Sequence, residues 1–136
     1  MPWTCPDCDR IFARRGQSHE CSPAMPLEEY LSTGPPFERP VVEAVLDHLA
    51  SVGPVHVEPV SIGILLKCPS TFGELRPMVR WEAVRFTLPS ELHDARLSRR
   101  MRTGVGRWWY GVNVREPSEV DDQLRDWLTQ SYLSCI

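Results

Sequence analysis

The chain has 136 residues, which is the usual length of a single domain. Its composition, with 42% hydrophobic residues, 24% charged residues and a net charge of −3, is that of a folded globular protein and excludes wholesale disorder. The longest apolar run, residues 62–66, has the length of a strand and not of a membrane span, and the N-terminus has no signal-peptide pattern. We therefore expect a cytoplasmic protein without membrane contacts. Of its 15 basic residues only Lys67 is a lysine, a bias that favours a bacterial origin with a GC-rich genome.

Cysteine and histidine residues are crowded near the N-terminus. The first 21 residues contain the pattern Cys5-Pro6-Asp7-Cys8, a spacer, and His19-Glu20-Cys21. In a reducing compartment such crowding indicates a metal site and not disulfides. Three sulfur ligands and one nitrogen ligand are typical of structural zinc, and they leave no open position for a catalytic water. The sequence therefore predicts a closed zinc site formed by Cys5, Cys8, His19 and Cys21. A flexible arm with free thiols is the alternative.

This predicted zinc knuckle differs from the zinc fingers that read DNA. His19 and Cys21 are two residues apart, so on a helix they would point away from each other, and they have to lie in a turn. Residues 13–18 are too few to form a helix that reads the major groove. We therefore expect the metal to stabilise the knuckle, without base recognition by it.

Beyond the knuckle, the hydrophobic pattern predicts helices followed by strands. A short helix over residues 27–31 ends before Gly34-Pro35-Pro36. A longer helix with apolar residues at helical spacing starts near Pro40 and ends at Gly53-Pro54. Alternating apolar residues then predict strands over 55–60 and 61–67 and two further extended pieces within 72–88.

The C-terminal third is predicted to add a loop, a strand and a helix. Residues 91–103 are polar and arginine-rich, which favours a helical turn followed by a loop. Residues 108–114 alternate, with Trp108 and Tyr110 on one face and Trp109 on the other. The last helix carries an apolar stripe: Val120, Leu124, Trp127 and Leu128. These elements predict an α+β fold with a mostly antiparallel sheet of about four to five strands flanked by helices. The expected organisation is a zinc knuckle over 1–22, a linker with a short helix over 23–36, and an α+β domain over 37–136.

Two segments and a C-terminal pattern carry a family resemblance. They are Ser61-Ile62-Gly63-Ile64-Leu65-Leu66-Lys67, Phe72-Gly73-Glu74-Leu75-Arg76-Pro77-Met78-Val79-Arg80-Trp81, and Val120-Asp121 with Trp127-Leu128 and Tyr132. Together they resemble an uncharacterised bacterial family of domains of unknown function, some members of which carry a Cys-Pro-x-Cys…His-x-Cys knuckle in front. The resemblance implies a small α+β domain with zinc at Cys5, Cys8, His19 and Cys21. It implies no reaction and no catalytic residue.

The sequence contains none of the common catalytic motifs that we considered. The phosphate-binding GxxxxGK loop, the GxSxG elbow and the HExxH metal motif do not occur. His56-x-Glu58 and His93-Asp94 are pairs that can transfer protons, but single histidines on polar strand faces or in turns are usually solvated. We therefore favour a protein that is not an enzyme.

Basic and aromatic residues occur together between residues 96 and 110. Five arginines precede the run Trp108-Trp109-Tyr110. Guanidinium groups bind phosphate, and an exposed tryptophan can stack on a base. The pattern therefore predicts nucleic-acid contacts by Arg96, Arg99, Arg100, Arg102, Arg107 and Trp109. The alternative is a solvated loop whose arginines pair with Glu91, Asp94 or the acidic last helix.

Two functions are compatible with these features. The first is a non-enzymatic, zinc-binding interaction module whose sheet face or arginine loop contacts nucleic acid or another protein. The second is a small-ligand-binding protein or enzyme with a pocket lined by Trp81, Trp108, Trp109 and Trp127. A flat basic face would favour the first function, and a concave pocket with convergent polar groups would favour the second.

Overall fold

The computed structural model describes residues 2–19, 21, 25–68, 70–103 and 106–135. Its helices and strands, in chain order, are β1 (Trp3–Thr4), β2 (Ile11–Phe12), α1 (Leu27–Ser32), α2 (Glu38–Val52), β3 (His56–Val60), β4 (Gly63–Lys67), β5 (Thr71–Pro77), β6 (Glu82–Leu88), β7 (Arg99–Arg102), β8 (Trp108–Val114) and α3 (Asp122–Cys135). A 3-10 turn over Pro117–Glu119 precedes α3. Among the described residues, no helix has both the length and the apolar character that crossing a membrane requires.

Six strands form the main sheet. Their order is β3-β4-β5-β6-β8-β7, and every neighbouring pair is antiparallel. The short strands β1 and β2 form a separate hairpin. The α+β class with an antiparallel sheet is therefore confirmed. The predicted number of strands is too low, because the main sheet alone has six.

The additional strand lies in the arginine-rich segment that we expected to be a helical turn and a loop. β7 pairs only with β8, at the edge of the sheet. All four of its residues are exposed, so it has no apolar alternation that would identify it in the sequence. Charged side chains are typical of edge strands because they hinder pairing with another chain.

Helices α2 and α3 pack against one face of the sheet. A fully buried row on this face, Ile64, Leu75, Val84 and Val112, crosses four neighbouring strands. Both helices contribute apolar side chains to the same core. The apolar stripe predicted for the last helix is confirmed, since Val120, Leu124, Trp127 and Leu128 are all buried.

The opposite face of the sheet has two parts. Over β3 and β4 it contacts the N-terminal hairpin, as described below. Over β5, β6, β8 and β7, no helix covers it within the described part of the chain. We call this second part the open face, and its main side chains are Arg76, Arg85, Arg99, Trp109 and Asn113.

Candidate metal centre and sheet face

The structure brings the four predicted metal ligands together. The ligand atoms of Cys5, Cys8, His19 and Cys21 all lie within 4.8 Å of one another. The turn after β1 carries Cys5 and Cys8, and it closes with Asp9 in the left-handed backbone region at φ 60°, which aspartate tolerates better than most residues. A backbone hydrogen bond from Cys5 N to Arg10 O, 2.9 Å, closes the same turn. This group could hold a metal ion.

The distances within the cluster fit tetrahedral coordination. Cys5 Sγ lies 3.7 Å from Cys21 Sγ, and His19 Nε2 lies 3.4 Å from Cys8 Sγ and 3.3 Å from Cys21 Sγ. Around a zinc ion with ordinary bond lengths, neighbouring ligand atoms are about 3.8 Å apart for two sulfurs and about 3.6 Å apart for sulfur and nitrogen. The four donors therefore surround a space of the correct size.

Hydrogen bonds around the cluster orient its histidine and shift the pKa values of its thiols. His19 Nδ1 donates a hydrogen bond to Gln17 O at 2.6 Å, which directs Nε2 towards the thiols. Burial opposes ionisation of Cys5, but hydrogen bonds from the backbone of Asp7 and Cys8 outweigh it and lower the pKa of this thiol to about 7. The hydrogen bond with Cys5, together with burial, raises the pKa of Cys21 to about 11. Cys5 is therefore the readier thiolate of the two, and a metal ion would have to displace the proton that Cys21 keeps.

A small aromatic cluster packs beside the ligands. The ring of Phe12 lies 4.0 Å from that of His19 and 6.1 Å from that of Trp3, measured between centroids. Together with the buried Cys5 and Cys8, these side chains form a core that is separate from that of the main sheet. Such a core is too small to fold by itself, which is the reason that small segments of this kind depend on a metal ion.

The hairpin is attached to the sheet through Glu58 on β3. This carboxylate is 0% exposed. Its Oε1 accepts from Arg10 Nε and from Lys67 Nζ, both at 2.9 Å, and its Oε2 accepts from the backbone N–H of Ile11 at 3.2 Å. Burial would raise the pKa of Glu58, but Arg10 and Lys67 hold it below its usual value.

Two further contacts complete this attachment. Lys67 Nζ donates to Ile11 O at 2.9 Å and lies 4.2 Å from the centre of the Phe12 ring. His56 Nε2 is 2.7 Å from Glu58 Oε2, and the histidine side chain is 37% exposed while the carboxylate is fully buried. The sequence indicated the metal ligands by their spacing, but it gave no signal for Glu58 as the residue that holds the hairpin in place.

The residues predicted to contact nucleic acid do not share one surface. Arg96 forms an ion pair with Asp121, 2.7 Å, and also donates to Glu119 O. Strand alternation places Arg99 on the open face, whereas Arg100 contacts His93 and Arg102 lies 6.0 Å from the centre of the Trp108 ring. Arg107 lies among hydroxyl groups near the end of α3. Of the six residues, only Arg99 and Trp109 lie on the open face.

The open face also carries residues that the prediction did not include. One cavity of about 140 Å³ is bounded by Arg85, Arg99, Met101 and Trp109, and a second of about 410 Å³ is bounded by Trp81, Arg85, Arg99 and Asn113, with Gly111 in its floor. Arg85 is partly neutralised by Glu74 at 2.9 Å. Only the strand register brings these positions together, since Arg85, Gly111 and Arg99 are paired across β6, β8 and β7, and no pattern in the sequence shows it.

The four tryptophans of the alternative prediction do not line a common pocket. Trp127 is buried against Phe86, with ring centroids 5.9 Å apart, and Trp108 packs against the same core. Trp81 and Trp109 lie on the opposite side of the sheet and border different cavities. Tryptophans 108 and 109 diverge because neighbouring residues of a strand point to opposite faces.

Comparisons with known proteins add no relative. No family model, no curated protein and no solved structure matches the chain. The family resemblance seen in the sequence therefore stays a prediction, and function has to be argued from the site.

Proposed function

We propose that this protein is a zinc-binding module whose open face binds single-stranded nucleic acid. The observation that carries the proposal is the combination of tryptophan rings and arginines on a sheet surface that no helix covers in the described part of the chain. The zinc knuckle has a structural role in this proposal, because its four ligands would complete the coordination of the ion and leave no position for substrate.

The charge of the open face supports an anionic partner. Arg76, Arg85 and Arg99 occupy strand positions on it, and Arg115 lies just beyond β8 with its guanidinium 5.5 Å from the centre of the Trp81 ring. Glu74 is the acidic residue of this group. A basic surface on a protein with a net charge of −3 is a local feature and not a consequence of composition.

The aromatic groups support a single strand. Trp109 is paired with Thr87 across β6 and β8, and Trp81 immediately precedes β6. Six residues of strand separate these two positions, which is roughly 20 Å. Both rings are half-buried, so each keeps an accessible part. Unpaired bases can stack on the accessible part of a ring, and such stacking tolerates any sequence. A duplex hides its bases, and the open face presents no helix that could enter the major groove.

The zinc assignment is tested by metal analysis of the purified protein. We expect one zinc ion per chain in the wild type and a loss of zinc in Cys8→Ser. The matched control is Cys135→Ser, which removes a thiol outside the cluster and should keep the metal. Full metal content in Cys8→Ser would contradict the assignment of the four ligands.

The nucleic-acid interface is tested by fluorescence anisotropy with a labelled strand of about 12 nucleotides. Four phosphate contacts give a slope of log affinity against log salt of about −2.8 at most, and Arg99→Gln should reduce its magnitude by about 0.7. Trp109→Ala should weaken binding by about 1–3 kcal/mol.

The control for this experiment is Arg39→Gln. Arg39 lies on α2, where it pairs with Glu28 at 2.7 Å, so its loss should leave binding unchanged. Absence of binding at micromolar protein in low salt, or equal affinities of all three variants, would refute the interface.

A further inference from the structure

A pocket of about 330 Å³ lies beside the open face, where the start of β5 meets the end of α3. Its lining includes one guanidinium and five hydroxyl side chains: Arg107, Ser70, Thr71, Thr87, Thr103 and Ser134. The indole of Trp109 also borders it. Because Trp109 borders one of the cavities of the open face as well, this ring separates the two spaces.

Arg107 gives the pocket its positive charge. Its Nη2 donates to Thr87 Oγ1 at 2.8 Å and to Ser134 Oγ at 2.9 Å. Both partners are neutral, and no carboxylate pairs with Arg107 in the described part of the chain. Arg96, by contrast, is neutralised by Asp121. The half-buried guanidinium of Arg107 is thus held by neutral oxygens, with no carboxylate among the described residues to offset its charge.

We propose that this pocket binds the terminal phosphate of a nucleic-acid strand, an inference that rests on the proposed function. A phosphomonoester offers up to two negative charges and several acceptor oxygens, which suit the guanidinium of Arg107 and, at the start of β5, the hydroxyl of Thr71. The hydroxyls of Thr87, Thr103 and Ser134 donate to the backbone carbonyls of Phe72, Arg107 and Ser131, so they line the pocket without donating into it. A base stacked on Trp109 would place its own phosphate next to Arg107. The pocket lies at the side of the open face. It therefore suits the end of a nucleic-acid strand better than an internal phosphate, because an internal phosphate has nucleotides on both sides.

The preference is tested with three strands of one sequence, carrying a 5′-phosphate, a 3′-phosphate or no phosphate. We expect one of the phosphorylated strands to bind at least about tenfold more tightly than the unphosphorylated strand. Ser70→Glu should abolish this ratio, because a carboxylate at the exposed mouth of the pocket competes for Arg107. Ser51→Glu is the control with the same change in charge, on α2, and should keep the ratio.

A second variant addresses the other role open to Arg107, that of neutralising the C-terminal end of α3. If Arg107→Gln lowers the melting temperature and leaves the affinity ratio of phosphorylated to unphosphorylated strand as in the wild type, the pocket is not a phosphate site. Loss of the ratio at a temperature where the variant is folded supports the site. Equal affinity of the wild type for all three strands overturns it.

Inorganic phosphate separates the two proposals. Its binding is measured by ³¹P line broadening with wild type and with Ser70→Glu. Inorganic phosphate can bind the wild type but not Ser70→Glu while neither protein binds any of the strands. In that case the pocket is an anion site and the nucleic-acid function is wrong. The strands can also bind equally well with and without a terminal phosphate while inorganic phosphate does not bind. In that case the proposed nucleic-acid binding by the open face is supported and the pocket proposal is wrong.

Discussion

Two glutamates are buried together where α2 begins and β6 begins. Glu38 is 1% exposed and Glu82 is 0% exposed. Tyr30 donates a hydrogen bond to Glu38 Oε2 at 2.9 Å, but Oε1 of Glu38 and both oxygens of Glu82 find no N–H or O–H donor among the described residues. A proton retained on Glu82 and donated to Glu38 gives a partner to Glu38 Oε1 and to one oxygen of Glu82, and the other oxygen of Glu82 stays without a donor among the described residues. Burial, reinforced by the charge of Glu38, raises the pKa of Glu82 to about 9.

This pair makes stability depend on pH. In the unfolded chain Glu82 loses its proton near its usual pKa of 4.5, whereas in the folded protein it keeps the proton up to about pH 9. The folded state therefore binds more protons between these values, and stability should fall with rising pH by about 1.4 kcal/mol per pH unit for each proton held. Burial raises the pKa of Glu38 as well, which adds to the fall at the acidic end of this range. Glu82→Gln preserves the shape and a hydrogen-bond donor, so it should flatten this dependence and stabilise the protein above neutral pH.

Denaturant unfolding at several pH values between 5 and about 9 measures this effect. Glu43→Gln is the control, since Glu43 lies exposed on the same helix as Glu38 and its loss should leave the pH profile of the wild type unchanged. Parallel profiles for Glu82→Gln and the wild type would show that the pair does not hold a proton.

At the scale of the elements, α3 is held on the sheet by Trp127. Its ring stacks on Phe86 of β6, and it lies in the stripe that faces the core. Trp127→Ala should lower the free energy of unfolding by about 3–5 kcal/mol, through lost burial and the cavity that remains. Leu133→Ala, on the exposed side of the same helix, is the matched control and should have little effect. Equal unfolding midpoints for the two variants would contradict this role of Trp127.

The elements also show what the sequence could and could not reveal. α2, β4 and β8 were predictable because their apolar residues recur with the helical or the strand period. The Cys/His cluster was predictable because its four residues lie close together in the chain as two short-spaced pairs. β7 was not, since an edge strand with four exposed residues has no apolar pattern. The open face was not predictable from the sequence either, because Arg85 and Arg99 are brought together only by the pairing of three strands.

At the scale of the whole molecule, the knuckle and the sheet are coupled through Glu58. The partners of this carboxylate come from both parts, Arg10 and Ile11 from the hairpin and Lys67 from the sheet. A buried carboxylate depends on such partners, since removing one side of a buried ion pair costs about 3–5 kcal/mol. Loss of metal should therefore weaken β3 and β4 as well as the knuckle.

Chelation followed by amide hydrogen exchange tests this coupling. When a chelator removes the metal, we expect residues 2–19 to lose protection first, because their small core cannot fold without it. Exchange should also become faster in His56–Val60 and Gly63–Lys67, where Glu58 and Lys67 lose their partners from the hairpin. Amides of β6, β8 and α3 should stay protected, since their core has no contribution from the knuckle.

A variant of Glu58 separates coupling from metal binding. Glu58→Gln removes the buried charge that Arg10 and Lys67 share, and it leaves all four metal ligands in place. We expect this variant to keep its metal while β3 and β4 exchange as fast with metal as without it. Glu74→Gln, which breaks a more exposed pair with Arg85 on the same face, should still show the slowing of exchange when metal is added. Exchange in β3 and β4 of the wild type that does not respond to chelation would show that the knuckle and the sheet are independent.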